Sequence, residues 1–211
     1  IYAGLHEFLA TQLLPRHFER EDGAMVQVDL TLVDTGYKSE LVAKVIRALA
    51  VGNRLMPSRG FGLGPAKKPF PEYKEEPGQQ LGRHWRKAIT KSTRLLTLEI
   101  DTNRWKSFVR DRVAAPAGSA GNWSVFGDDA MEQQLLAEQL SSQVPTKTSG
   151  PWGEVEVWSV PPDRPDDHEL DCMVGCMAAL TAVPGGPKLA EWEGVKQAGN
   201  KGQRRKVVHD L

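Results

Sequence analysis

Cysteine is scarce in this chain. Cys172 and Cys176 are the only two in 211 residues, and they sit four apart in one apolar stretch. That spacing excludes a disulfide framework, because a regular helix does not bring such a pair into disulfide geometry. No third or fourth soft ligand lies nearby, so the pair reads as buried thiols of a reducing compartment rather than as metal ligands. Net charge is missing too: 27 lysines and arginines balance 27 aspartates and glutamates. A basic surface for nucleic acid would therefore have to be local. No run is apolar and long enough to span a bilayer, and no secretory signal is recognisable, so no membrane role is expected. The glycine-rich stretch 57–64 lacks the lysine and hydroxyl residue of a phosphate-binding loop, so no ATPase motor is expected either. The chain opens on Ile1 and reads as a piece cut from something longer.

What is present centres on residues 165–180, Pro-Asp-Asp-His-Glu-Leu-Asp-Cys-Met-Val-Gly-Cys-Met-Ala-Ala-Leu. A proline stops the chain, Asp166 or Asp167 can cap the first free N–H groups, and a helix follows. Its apolar remainder implies burial. Asp167, His168 and Asp171 stand three and four residues apart, on one helix surface. A polar first turn on a buried helix should lie at the edge of a core, facing a cleft. Hard oxygen donors there suit Mg²⁺ or Mn²⁺. The plainer reading is a capped core helix whose acids suit its dipole.

Several other elements are legible. Apolar residues at helical spacing give a helix over 3–14, ended by Pro15. The branched run 25–33 reads as a central strand that delivers Asp34 at its C-terminal tip, where Gly36 lets the chain turn. Strand tips carry active-site acids in open α/β sheets; an Asx-turn or helix cap is the alternative. A helix over 39–50 follows, then a short strand at 53–56 running into the glycine-rich loop, where Arg59 is a phosphate contact or a solvated arginine. Residues 65–82 read as a surface excursion. Residues 82–91 and 94–100 form two strands, possibly a hairpin, with Trp85 among Arg83, Arg86, Lys87, Lys91 and Arg94. This is the best basic patch, or else a charged solvent face. Asp101 or Thr102 caps a helix to about 112. Residues 128–142 read as a helix with Met131, Leu135, Leu136 and Leu140 on one face, and 154–160 as a strand. After Val183, Pro-Gly-Gly-Pro leads into a polar basic tail with Lys201, Arg204, Arg205 and Lys206.

The order of five motifs is unusual: Asp34-Thr-Gly-Tyr after a strand; Asn103-Arg-Trp-Lys-Ser107; Ala114-Ala-Pro116; Glu132-Gln-Gln-Leu-Leu-Ala-Glu138; and His168-Glu-Leu-Asp-Cys172. It resembles the C-terminal nuclease domain of the lambda-type phage terminase large subunit, the packaging motor of tailed phages. The resemblance covers roughly residues 5–183. It implies an α/β fold, an RNase H-like mixed sheet flanked by helices and lacking its first strands, with a β-hairpin insertion and a basic C-terminal tail. The nuclease domain would be 1–183 and the tail 184–211. The resemblance also implies a metal-dependent endonuclease that cuts concatemeric double-stranded DNA in the host cytoplasm. Two Mg²⁺ or Mn²⁺ ions would be held by Asp34 and Asp171, with His168 as a further ligand or orienter of water. Arg59, Arg86, Lys87 and Lys106 would hold the DNA backbone. A further aspartate is expected on a strand upstream of Ile1; Glu7 is a weaker substitute. The terminase small subunit and the portal or procapsid would be partners of the parent protein. Two other readings stay open: a non-catalytic DNA- or portal-docking module, and another RNase H-like enzyme such as a transposase or resolvase.

Overall fold

The computed structural model describes residues 1–20, 22–119, 121–123, 129–163 and 166–187. The tail from residue 188 on, Asp128 and Pro165 lie outside them.

The chain starts with helix α1 (Tyr2–Glu7), which widens without a break into a π-helical stretch, Phe8–Leu13. There Thr11 Oγ1 donates to the Glu7 carbonyl at 2.8 Å, a side-chain bond that competes with the regular ladder. Pro15 follows two residues after the π stretch and has no N–H to continue it. Leu9 and Leu14 are buried. The expected strand over 25–33 is broken in two. Met25–Val26 (β2) pairs back on Phe18–Glu19 (β1), and only Thr31–Asp34 (β3) enters the main sheet. The polar residues Gln27 and Asp29 interrupt the apolar run between them.

From β3 the chain passes through α2 (Ser39–Leu49) to β4 (Leu55–Phe61), which lies parallel to β3. A parallel pair needs such a crossover, and α2 supplies it with the stripe Val42, Val45 and Ile46, all buried. The glycine-rich segment is not a loop up to Phe61. Pro57 to Phe61 continue β4, and the chain turns away only at Gly62. Next come β5 (Gln80–Leu81), β6 (Trp85–Ile89) and β7 (Leu96–Asp101). The sheet order is β3-β4-β7-β6-β5, with β3, β4 and β7 parallel and the last two antiparallel. So β3 is an edge strand, not a central one, and the expected 82–100 hairpin is part of the main sheet. Trp85 belongs to the core, with its indole N–H on Thr181 Oγ1 at 2.9 Å, rather than to a basic surface.

Asp101 caps α3 (Thr102–Val113), accepting from the Arg104 N–H. Asp129 caps a 3₁₀ turn that leads into α4 (Gln134–Leu140); Met131 and Leu135, expected to be packed, are exposed. A second hairpin follows, β8 (Val144–Gly150) and β9 (Gly153–Ser159). Sequence alternation marks only the second of these strands. It docks on α3, where Trp158 Nε1 donates to Ser107 Oγ at 3.0 Å and Ser107 donates to Glu156 at 2.6 Å. The last helix is α5 (His168–Ala182).

Strand alternation sorts the two faces of the sheet. Leu32, Met56, Leu98 and Ile100 pack with Trp105 and Phe108 of α3 and Leu170, Val174 and Met177 of α5. Val33 and Leu55 pack on the other side with α2, Leu9 and Leu14. The result is a five-stranded mixed sheet flanked by helices, as expected. Helix α5 is buried on one side only. Cys172 and Cys176, expected to be buried, are exposed, because they fall on the side away from Leu170, Val174 and Ala178.

Candidate active site

Asp34 ends β3 with its carboxylate exposed. The local turn holds it: Oδ2 accepts the Gly36 N–H at 2.9 Å, an Asx-turn bond. Thr35 anchors the same turn, since both its N–H (2.9 Å) and its hydroxyl (2.7 Å) donate to the Ser58 carbonyl. Alternation from Leu30 and Leu32 assigns Asp34 to the sheet face covered by α3 and α5.

Asp171 lies in the first turn of α5. Its Oδ1 sits 2.8 Å from the ammonium of Lys106 on α3. The lysine side chain is 10% exposed and the aspartate 54%. Lys106, expected to meet DNA, is thus committed to the acid expected to hold metal. The other polar groups of this turn go elsewhere. His168 lies 3.8 Å from Asp166 and is well exposed. Asp167 does not cap the helix but accepts from Gln143 Nε2. The capping acceptor is Gln139 of α4, whose Oε1 takes the Glu169 N–H at 2.8 Å.

The expected cations separate. Arg59 falls on the opposite face of β4 from Met56 and Ser58, with its guanidinium 5.1 Å from the Phe61 ring centroid. Arg86 lies on that same face, where its Nε donates to Glu99 Oε2 at 2.7 Å. Lys87 shares the face of Asp34, but its ammonium closes the far end of α5, donating to the Ala182 carbonyl at 2.6 Å. Burial lowers the Lys87 pKa.

One further acid, marked by the sequence only as a helix cap, also stands at the rim. Asp101 ends β7 at the same rim of the sheet on which Asp34 ends β3, since the strands are parallel. It is buried, and burial raises its pKa to about 6 against the opposing pull of the Arg104, Leu63 and Asn103 N–H groups. Next to it, burial lowers the His84 pKa to about 4, helped by Arg104 and Arg83. The signal for Asp101 is the one that marked Asp34, an acid closing an alternating apolar strand.

For a divalent ion, the carboxylates of Asp34 and Asp171 are of the right kind. Mg²⁺ takes hard oxygen donors and is often held by one or two carboxylates, with water and substrate phosphate completing its shell. Among the described residues no three His, Cys, Asp or Glu side chains form a ligand group by themselves. Two such donors would leave most of an ion's shell to water and substrate phosphate.

A mixed sheet with helices on both faces, and acids closing two of its parallel strands, defines an α/β domain with a candidate hydrolytic rim. The family model for the endonuclease domain of the terminase large subunit gpA matches residues 7–188, and the chain belongs to that family. No curated protein and no solved structure matches it. No helix among the described residues is long and apolar enough to cross a membrane.

Proposed function

We propose that this domain hydrolyses phosphodiester bonds of double-stranded DNA during genome packaging, with Asp34 and Asp171 holding Mg²⁺ or Mn²⁺. The observation that carries the reading is the placement of Asp34 on the sheet face that α5 covers, with Asp171 in the first turn of α5. Bound ions would lower the pKa of a water so that hydroxide is available to attack phosphorus, and would supply positive charge for the departing oxygen. The chain's own residues do the positioning. Gly36 orients the Asp34 carboxylate through its N–H. Lys106 engages one oxygen of Asp171 and leaves the other open. His168, three residues before Asp171 and exposed, would hold or orient water by giving up its contact to Asp166. Contacts to the DNA backbone are sequence-independent, so binding should weaken steeply with salt.

The test is nicking of supercoiled plasmid with Mn²⁺ and with EDTA, for the wild type and for Asp34→Asn and Asp171→Asn. Metal-dependent nicking lost in both variants supports the reading. Undiminished nicking by both would sink it. A docking module that cuts nothing is the second reading, favoured by the Lys106 contact that already occupies Asp171. A folded chain that binds DNA but never nicks it with Mn²⁺, both as it stands and when extended upstream of Ile1, would decide for that module.

A further inference from the structure

A second surface stands out on the same rim, on the sheet face away from α5. The loop leaving β4 and the tip of the β8–β9 hairpin are pinned together there. The Trp152 N–H donates to the Pro65 carbonyl at 3.1 Å. Gly150 makes that approach possible, since a Cβ on it would lie 2.9 Å from the same carbonyl oxygen. The pinned tip presents Trp152, 42% exposed, and the loop presents Tyr73, 40% exposed. Lys68 links the two, its ammonium 5.1 Å from the Tyr73 centroid and 6.0 Å from that of Trp152. Arg86 supports Tyr73 from within the fold, 5.4 Å from its ring, while its charge is met by Glu99.

We infer that Trp152, Tyr73 and Lys68 form a platform for unpaired DNA, on which exposed bases stack while Lys68 meets a phosphate. That the ligand is DNA rests on the endonuclease reading; that it is single-stranded rests on the chemistry. A duplex hides its base faces except at its ends, whereas the half-exposed Trp152 ring on a fixed tip, with Tyr73 in the neighbouring loop, offers ring surface that any unpaired base can use. The charge of the segment argues the same way. Lys67, Lys68 and Lys74 are matched in number by Glu72, Glu75 and Glu76, so this is no basic groove for a duplex backbone. Stacking, not net charge, must supply most of the affinity, and the salt dependence should be shallow.

The experiment measures fluorescence anisotropy of a labelled oligothymidylate in EDTA, with thermal unfolding and Mn²⁺-dependent plasmid nicking run alongside. Trp152→Leu should weaken single-strand binding by roughly ten-fold, the loss of one stacked base. Trp152→Phe, which keeps a ring, should restore most of it. Lys68→Gln should flatten the already shallow salt slope by about 0.7, one phosphate contact on a single strand. Unfolding and plasmid nicking should stay as in the wild type. Unchanged affinity in Trp152→Leu overturns the inference. So does a loss of binding that tracks a fall in unfolding temperature, which would make the ring only a clamp between loop and hairpin. Single-strand binding through Trp152 in a chain that never nicks, even when extended upstream of Ile1, would overturn the endonuclease reading and leave the platform standing.

Discussion

The ammonium of Lys106 lies 2.8 Å from Oδ1 of Asp171, joining a nearly buried cation on α3 to a half-exposed acid on α5. The two ends of this pair stand in different surroundings, and that makes its energetics asymmetric. Without its partner, Asp171 can be solvated; Lys106 cannot, and a buried charge left unpaired is costly. Asp171→Asn should therefore lower stability by about 1–2 kcal/mol, less than a fully buried pair because the acid is already wet. Lys106→Met, which keeps the packed stem, should cost less. Urea unfolding of the two variants decides it. Equal losses would mean that Lys106 reaches solvent and its contact to Asp171 is incidental.

Gly36 offers a way to move the Asp34 carboxylate without touching it. A Cβ at this position would stand 2.9 Å from Asp34 Oδ2. The carboxylate would have to swing away, while the backbone of residue 36 needs no left-handed conformation. Gly36→Ala should leave unfolding nearly unchanged and cut plasmid nicking by about ten-fold or more, since ångström-scale misplacement of a catalytic group is that damaging. Full activity in this variant would remove Asp34 from the site.

Asp101 and His84 should oppose each other in the pH dependence of stability. Asp101 has a folded pKa raised to about 6, so the native state binds more protons than the unfolded one between about pH 4 and 6. Stability from this group is present at low pH and is lost as pH rises through 6. His84 has a folded pKa lowered to about 4, so the unfolded state binds more protons between about 4 and 6.5. Its contribution is present above 6.5 and is lost as pH falls. Between about pH 4 and 6 the two slopes oppose each other in the wild type. Asp101→Asn keeps a good cap residue and removes one slope. It should raise stability at neutral pH by about 1–3 kcal/mol and expose a decline below pH 6.5. Urea midpoints measured across that range test both parts.

Gln139 caps a helix thirty residues further along the chain, through its Oε1 and the Glu169 N–H. Gln139→Ala should cost about 1 kcal/mol, the usual worth of a capping bond. It should also loosen the turn that carries His168 and Asp171. Hydrogen exchange at the Glu169 amide reads this directly, and faster exchange is expected there than in the middle of α5.

The parts of this protein legible in its sequence are those set by neighbours in the chain. The stripe of α2, the start of α5, the cap at Asp101 and the pairing of β6 with β7 follow from periodicity and short connections. So does the delivery of Asp34 at a strand end beside Gly36. What only the tertiary structure decided is which side chains meet across elements. Strand order made β3 an edge and β7 central, and alternation then set Arg59 and Arg86 on the face away from Asp34. Packing of α3 on α5 turned Lys106 from a surface cation into the partner of Asp171. Trp85 went into the core and Cys172 and Cys176 out of it, because α5 has apolar residues all round and only contact with the sheet chooses its buried side. Local pattern fixes periodicity and direction along the chain, but the choice of face and partner is a long-range energy that appears only when the sheet and its helices close together.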